Sequence, residues 1–495
     1  MLKRVRVVLA LVFLIGITLL LLDFTGVLHL YLGWMAKLQL LPAILAANVA
    51  VIVGLALLTL VFGRVYCSVI CPLGIFQDVV SHLGTRKDKR PYHYRKEATW
   101  LRDGVWVLFV AALIGGFHVI VTLLAPYSAY GRMVQNLLQP LYLWGNNLLA
   151  WASERLGSYS FYPKEVWIRS LPTFIIAIVT LVVIVVISFK GGRTYCNSIC
   201  PVGTTLGILS RFSLFAPVIN LDKCKNCRAC EFKCKAHCID IDNHQIDYSR
   251  CVDCFNCIDS CRFGALKYRF AWGKSYGGRS AAHASTDKGR RAFMTGTVVA
   301  AGTLAAQKLS AQGKKLDGGF AEVLPKQAPE RSIPITPPGS RSVRDFYKRC
   351  TGCQLCVAEC PNGVLRPSAD FEHLMQPQMS FEKGYCRPEC TRCSELCPAG
   401  AIKKIGREEK TLYHVGTAGV NAEMCLSATG KASCGKCARS CPVGAIQMVD
   451  DPQTGHPRPA VAEEICIGCG ACEQLCPVRP VSAITVNGRF EHLEA

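Results

Sequence analysis

The chain has 495 residues, 29 cysteines and a net charge of +21. That length predicts two to four domains. So many cysteines in so long a chain exclude a disulfide framework. The basic excess lies mostly in segments that flank apolar runs, which argues against nucleic acid as a partner.

From the N-terminus, four apolar stretches reach the about 20 residues that a bilayer span needs: Val7–Val27, Leu38–Phe62, Gly104–Ala125 and Leu171–Phe189. The first follows Lys3, Arg4 and Arg6 and has no small-residue cleavage site, so it predicts an uncleaved anchor. The connection after the second stretch is basic, with Arg64, Arg86, Lys87, Lys89, Arg90, Arg95 and Lys96. The first connection has only Lys37, and the third has Arg132, Arg155, Lys164 and Arg169 spread over a longer stretch. The positive-inside rule then places the N-terminus, the second connection and the chain just after Phe189 in the cytoplasm.

A motif recurs at the ends of two of these stretches. Arg64-Val-Tyr66-Cys67-Ser-Val-Ile-Cys71-Pro72-Leu-Gly74 returns as Arg193-Thr-Tyr195-Cys196-Asn-Ser-Ile-Cys200-Pro201-Val-Gly203. The repeat implies two equivalent halves. The C-x-x-x-C spacing puts both sulfurs of a pair on one helical face. Two readings stay open for Cys67, Cys71, Cys196 and Cys200. They form a redox site, as a shared cluster or as cycling thiols, or they are structural caps at the ends of spans. Arg64, Tyr66, Arg193 and Tyr195 are candidate polar contacts for a quinone. His118 lies in the third stretch with no second histidine at a matching depth, which argues against a bis-histidine haem.

The next segment, Asn220–Tyr268, holds Cys224, Cys227, Cys230 and Cys234, then Cys251, Cys254, Cys257 and Cys261. Both runs have the C-x-x-C-x-x-C-x-x-x-C spacing of bacterial two-cluster ferredoxins, in which the fourth cysteine reaches the other cluster. The expected partners are Cys224, Cys227, Cys230 with Cys261, and Cys251, Cys254, Cys257 with Cys234. Lys235 and Arg262 stand where a proline is usual, and Cys238 is a spare. Zinc also takes C-x-x-C pairs, but a tetrahedral ion has no need of a paired four-cysteine run.

A basic linker follows. Gly289-Arg290-Arg291-Ala292-Phe293-Met294, before the weakly apolar Ala292–Ala306, reads as a twin-arginine export signal. Gln307–Ser340 reads as a further linker. The last part, Arg341–Ala495, has four more cysteine groups, each ending in Cys-Pro. They are Cys350, Cys353, Cys356, Cys360; Cys386, Cys390, Cys393, Cys397; Cys425, Cys434, Cys437, Cys441; and Cys466, Cys469, Cys472, Cys476. Taken in sequence order, each group makes one four-cysteine site. No C-x-x-C-H is present, so no c-type haem is expected, and no Gly-rich nucleotide loop follows a strand.

The paired Cys-x-x-x-Cys-Pro motifs followed by the two-cluster segment resemble the NapH family of membrane quinol dehydrogenase subunits. The twin-arginine stretch followed by four cysteine groups resembles the NapG and MauM family of exported four-cluster ferredoxins. Here the two appear fused, with the export signal internal. The resemblance implies electrons taken from the membrane quinol pool and delivered to a periplasmic cytochrome or terminal reductase in anaerobic respiration. Two other classes remain: a conduit fed by a soluble cytoplasmic donor, and a redox assembly factor for a respiratory metalloenzyme.

The expected fold is an α-helical membrane domain of four spans, with Ala292–Ala306 as a candidate fifth, plus α+β bacterial ferredoxin-like cluster domains. The expected domains are 1–215, membrane; 216–270, two-cluster; 271–340, linker; and 341–495, four-cluster. The expected cofactors are about six [4Fe–4S] clusters and a quinone. The expected location is the bacterial inner membrane, multi-pass, with the two-cluster domain cytoplasmic and the four-cluster domain periplasmic.

Overall fold

The structure, a computed structural model, describes residues 1–88, 91–158, 160–271, 324–452 and 455–494. The twin-arginine stretch and Ala292–Ala306 lie outside the described residues.

The N-terminal part is helical. It runs α1 (Leu2–Leu22), α2 (Leu28–Lys37), α3 (Leu40–Leu45), α4 (Val49–Phe62), α5 (Val65–Val69), α6 (Pro72–Asp88), α7 (Thr99–Gly115), α8 (His118–Leu124), α9 (Pro126–Met133), a π-helical turn at Val134–Leu138, α10 (Gln139–Arg155), α11 (Leu171–Gly191), α12 (Thr194–Ser198) and α13 (Pro201–Ser210). Among the described residues, only α1 and α11 are long and apolar enough to cross a membrane, at 21 residues each. Their side chains look outward: Val8, Val12 and Ile15 on α1 and Val179, Val182 and Val186 on α11 are each about half exposed. A soluble core helix would bury such a face.

The other two expected spans are not continuous. Leu38–Phe62 breaks into α3 and α4 at Ala47, which takes a left-handed backbone (φ 52°). The 14 residues of α4 cover only about 21 Å. Gly104–Ala125 breaks into α7 and α8 at Gly116 (φ 81°), the residue type that most readily ends a helix in this conformation. The first expected span shifts as well. α1 starts at Leu2 and stops before Asp23, whose carboxylate accepts the backbone N–H groups of Thr25, Gly26 and Leu28 at 2.8–3.1 Å.

The chain forms two compact units. One comprises Met1–Ile15, Ala50–Ala111 and the described part of Phe174–Gly313. Within it, two short antiparallel pairs frame the first cysteine-rich segment: β1 (Phe215–Ile219) with β4 (Leu266–Phe270), and β2 (Ile239–Asp240) with β3 (Gln245–Ile246). This segment is fastened to the helix ends. Leu214 N–H donates to Leu60 O at 2.7 Å, and Arg193 N–H to Lys235 O at 2.8 Å.

The second unit comprises Gly16–Val49, Ala112–Thr173 and the C-terminal segment. Its cysteine-rich domain has three antiparallel pairs: β5 (Leu365–Pro367) with β6 (Pro377–Met379), β7 (Tyr413–Val420) with β10 (Ile484–Glu494), and β8 (Ile446–Asp450) with β9 (Pro457–Val461). Val357, Phe381, Val415, Ile446, Ile484 and Val486 form its apolar core, with ligand-group cysteines packed around them. The domain rests on the helical segments of its own unit. Arg169 donates to Val357 O at 3.0 Å, and Asn136 to Gln354 Oε1 at 3.1 Å.

Candidate metal centres

Four of the six cysteine runs share one backbone device. In each, the residue two after the first cysteine and the residue after the second cysteine take left-handed φ: Asn226 and Arg228, Asp253 and Phe255, Gly352 and Gln354, Gly468 and Gly470. Alternating handedness curls the chain so that successive N–H groups point inward, which makes an anion-binding concavity of the kind that holds Fe–S clusters. For a bulky residue such as Phe255 this backbone costs about 1 kcal/mol or more. The structure around it must therefore impose it.

The quartets close in crossed fashion. Cys224, Cys227, Cys230 and Cys261 line one pocket, and Cys234, Cys251, Cys254 and Cys257 another. These are the partners expected from the spacing. The C-terminal domain departs from sequence order. Cys425, Cys434 and Cys437 share a pocket with Cys476, and Cys466, Cys469 and Cys472 share one with Cys441. In the other C-terminal pair, Cys397 lies in electrostatic reach of Cys350, Cys353 and Cys356, and Cys360 in reach of Cys386 and Cys393. The consecutive grouping of Cys350 to Cys360, Cys386 to Cys397, Cys425 to Cys441 and Cys466 to Cys476 is thus corrected. The Cys-Pro turn carries each fourth cysteine away from its own run.

Among the described residues, no three His, Cys, Asp or Glu side chains converge enough to grip a single metal ion. The donor set is all thiol, and it lines cavities rather than meeting at a point. That fits a cluster with a ligand at each iron corner better than tetrahedral zinc.

Of the neighbouring side chains, Lys410 alone carried no sequence signal. Lys410 is buried and donates to Cys386 Sγ at 3.2 Å and to Cys390 O at 2.6 Å. Cys238, the spare, lies 3.5 Å from Cys234 Sγ and lines the same cavity. Lys235, which replaces the usual proline, is buried and pairs with Asp78 at 2.9 Å. Arg262, the other replacement, is exposed.

The two Cys-x-x-x-Cys-Pro repeats meet in the first unit. Arg64 precedes α5 and Arg193 precedes α12. Each reaches into the opposite repeat. Arg193 Nη1 donates to Cys67 O at 2.7 Å, and Arg64 Nη2 to Cys196 O at 3.3 Å. Arg64 also donates to Asn197 Oδ1 at 3.0 Å and Ser249 O at 2.7 Å. The motif glycines are explained by the close turn within each repeat. A Cβ on Gly74 would stand 2.3 Å from Cys67 O, and one on Gly203 2.2 Å from Cys196 O. Arg64, Tyr66, Arg193 and Tyr195 are 1, 1, 0 and 7 % exposed. The two arginines thus lock the repeats together. His118 is buried at the start of α8.

The comparisons agree with this arrangement. Residues 45–91 and 173–219 both match the 4Fe-4S binding domain family, one match over each Cys-x-x-x-Cys-Pro repeat. Residues 349–427 and 432–479 match a 4Fe-4S dicluster domain, and residues 247–364 match another. The chain is similar to the putative electron transport protein YccM of Escherichia coli K12, at 23% identity over 45% of this chain and 55% of that protein. It is similar to the ferredoxin-type protein NapF of the same organism, at 28% over 34% of this chain and 96% of NapF. It is also similar to the methylamine utilization ferredoxin-type protein MauM of Methylobacillus flagellatus, at 28% over 32% of this chain and 70% of MauM. The chain spans as little as 38% of the length of a curated relative that it matches. No solved structure matches it. The fold and the thiol quartets define an iron–sulfur protein with 4Fe–4S ferredoxin-like domains. Within that class the chain is similar to the ferredoxin-type proteins NapF and MauM.

Proposed function

We propose that the chain is a membrane-anchored polyferredoxin that accepts electrons from quinol and passes them through about six [4Fe–4S] clusters to a periplasmic cytochrome or terminal reductase. The observation that carries this reading is the crossed closure of the quartets. Each fourth cysteine belongs to its neighbour's site, so the clusters come in tied pairs, and a chain of tied pairs is a relay. Each cluster supplies a one-electron carrier. The protein supplies position, burial and hydrogen bonds to sulfur, which set the potential.

α1 and α11 supply the membrane anchor. Leu38–Phe62 and Gly104–Ala125 cross as helices broken at Ala47 and Gly116. The resemblance to NapH and to NapG and MauM supports quinol as donor and a periplasmic acceptor.

The test is anaerobic reduction of the purified protein by a menaquinol or ubiquinol analogue, followed by electron paramagnetic resonance. Cluster reduction by quinol is the expected result. Reduction by flavodoxin or ferredoxin, and never by quinol, replaces quinol with a soluble donor. Stoichiometric zinc with little acid-labile sulfide overturns the cluster reading altogether.

A further inference from the structure

We propose that Lys410 is a positioning residue for electron flow. Its buried ammonium, hydrogen-bonded to Cys386 Sγ, raises the reduction potential of the cluster that Cys386 ligates above those of the other clusters in the C-terminal domain. The inference rests on the iron–sulfur electron-transfer reading and deepens it, by naming the cluster on which a transferred electron comes to rest.

The side chain is held on a firm element. Lys410 lies in a short 3-10 turn, Glu409–Leu412, that runs directly into β7. β7 is anchored by its ladder with β10. Lys410 is only 4 % exposed, and lysine is almost never buried to this degree unless paired. Its Nζ donates to Cys386 Sγ at 3.2 Å, to Cys390 O at 2.6 Å and to Arg387 O. Three acceptors use the three N–H bonds of an ammonium, whereas a neutral amine has only two. The contacts therefore define a charged group. Cys386 is fixed from its backbone side as well, where its N–H donates to Cys469 O at 2.9 Å.

Charge carries the argument further. None of the three acceptors is a carboxylate. A buried cation without a counter-ion is costly. The thiolate of Cys386, with the negative cluster it would hold, supplies the missing charge. Reduction adds one more negative charge there, so the ammonium favours the reduced state over the oxidised one and the potential rises. The other ferredoxin quartets differ. Among the described residues, no other quartet sulfur takes a hydrogen bond from a charged side chain. Cys350 Sγ accepts the backbone N–H of Gly352 at 3.4 Å, and Cys441 Sγ that of Ala445 at 3.2 Å. These donors are neutral, and a hydrogen bond from an ionised donor is roughly twice as strong. In the first segment, Cys224 and Cys251 face the oxygens of Asn226 and Asp253. Lys326 reaches the carbonyl of Cys476 at 3.1 Å but no sulfur. Arg169 is directed to Gln135 Oε1 and Val357 O. Lys410 thus sets one cluster of the domain apart.

Potentiometric titration of the anaerobically reconstituted full chain, read by electron paramagnetic resonance beside an iron and sulfide count, tests the proposal. Lys410→Met keeps the length of the side chain and removes its charge. It is expected to lower the midpoint of one signal. At a fixed potential the oxidised-to-reduced ratio of that cluster should rise about tenfold, or about 59 mV for a one-electron couple, with the iron count unchanged. Lys410→Arg keeps the charge and is expected to restore most of the midpoint, which a space-filling role would not do. Unchanged midpoints in Lys410→Met, or a fall shared by every signal, overturn the proposal and leave the relay reading intact. Should Lys410→Met lose iron, the wild-type order of midpoints decides. The signal that Cys393→Ser perturbs, from the same run as Cys386, must then have the highest midpoint in the C-terminal domain. A lower rank overturns the proposal. Stoichiometric zinc in the wild-type chain would overturn both readings.

Discussion

Asp78 shows how much of this protein rests on single buried charges. It is the shared counter-ion of Arg6, Arg193 and Lys235. Burial alone would raise its pKa, but Arg193 and Lys235, with Arg6, hold it far below the usual carboxylate range. A depressed carboxylate contributes stability that is present above its unfolded value, 3.8, and is lost only as pH falls through the folded value. Between pH 5 and 8 it therefore adds no slope. Asp78→Asn leaves three cations without an anion, and we expect a loss of about 3–5 kcal/mol, read as thermal release of the first unit's cluster signals. His492 works at milder pH. Its ring is 6 % exposed, lies 2.8 Å from Ser340 O, and burial pushes its pKa down from 6.5 to about 4. Folding thus favours the neutral ring. That contribution is complete above the unfolded value and drains as pH falls from about 6.5 to about 4. Hydrogen exchange of the β7–β10 ladder is expected to accelerate over that window. His492→Gln should flatten the dependence. Neither residue announces itself in the sequence, because burial and partners, not residue type, give them their roles.

At the scale of elements, cysteine spacing was the most legible feature. It indicated the runs, and for the first segment it indicated the crossed partners as well. It did not indicate crossing in the C-terminal domain, where the irregular spacing of Cys386 to Cys397 and Cys425 to Cys441 hid the ferredoxin pattern. The crossing makes a specific prediction. Cys360→Ser should perturb the same paramagnetic signal as Cys393→Ser, and a different one from Cys350→Ser. Cys397→Ser should group with Cys350→Ser. Matching effects of Cys360→Ser and Cys350→Ser would restore the consecutive grouping. Hydropathy was less reliable. It found every apolar stretch, yet Leu38–Phe62 and Gly104–Ala125 hold left-handed turns at Ala47 and Gly116. A sum over a window cannot register one dihedral angle. The motif glycines Gly74 and Gly203 were visible as a repeat, but their cause, a carbonyl pressed against each Cα, lies in the close turn within each repeat.

At the scale of the whole molecule, the proposed function turns on which side of a membrane each cluster domain would occupy. The basic connection from Arg64 to Lys96 and the near-neutral connections on either side favour a cytoplasmic first cluster segment. The only weakly apolar stretch before the second cluster domain is Ala292–Ala306. Fifteen residues of helix cover about 22 Å, short of the roughly 30 Å hydrocarbon core. That length is poor for an ordinary span, and it suits a twin-arginine signal, whose preceding Arg290 and Arg291 address a route for proteins that cross already folded. A domain with four clusters needs such a route, because its thiols must be loaded before export. We therefore expect reporter fusions at Arg279 and Ala495 to read cytoplasm and periplasm respectively. Replacing Arg290 and Arg291 by Lys should hold the C-terminal domain inside while the cluster signals survive. If both fusions read cytoplasm, the chain cannot reduce a periplasmic enzyme directly. It then becomes a tethered cytoplasmic polyferredoxin, and the acceptor must be sought on that side.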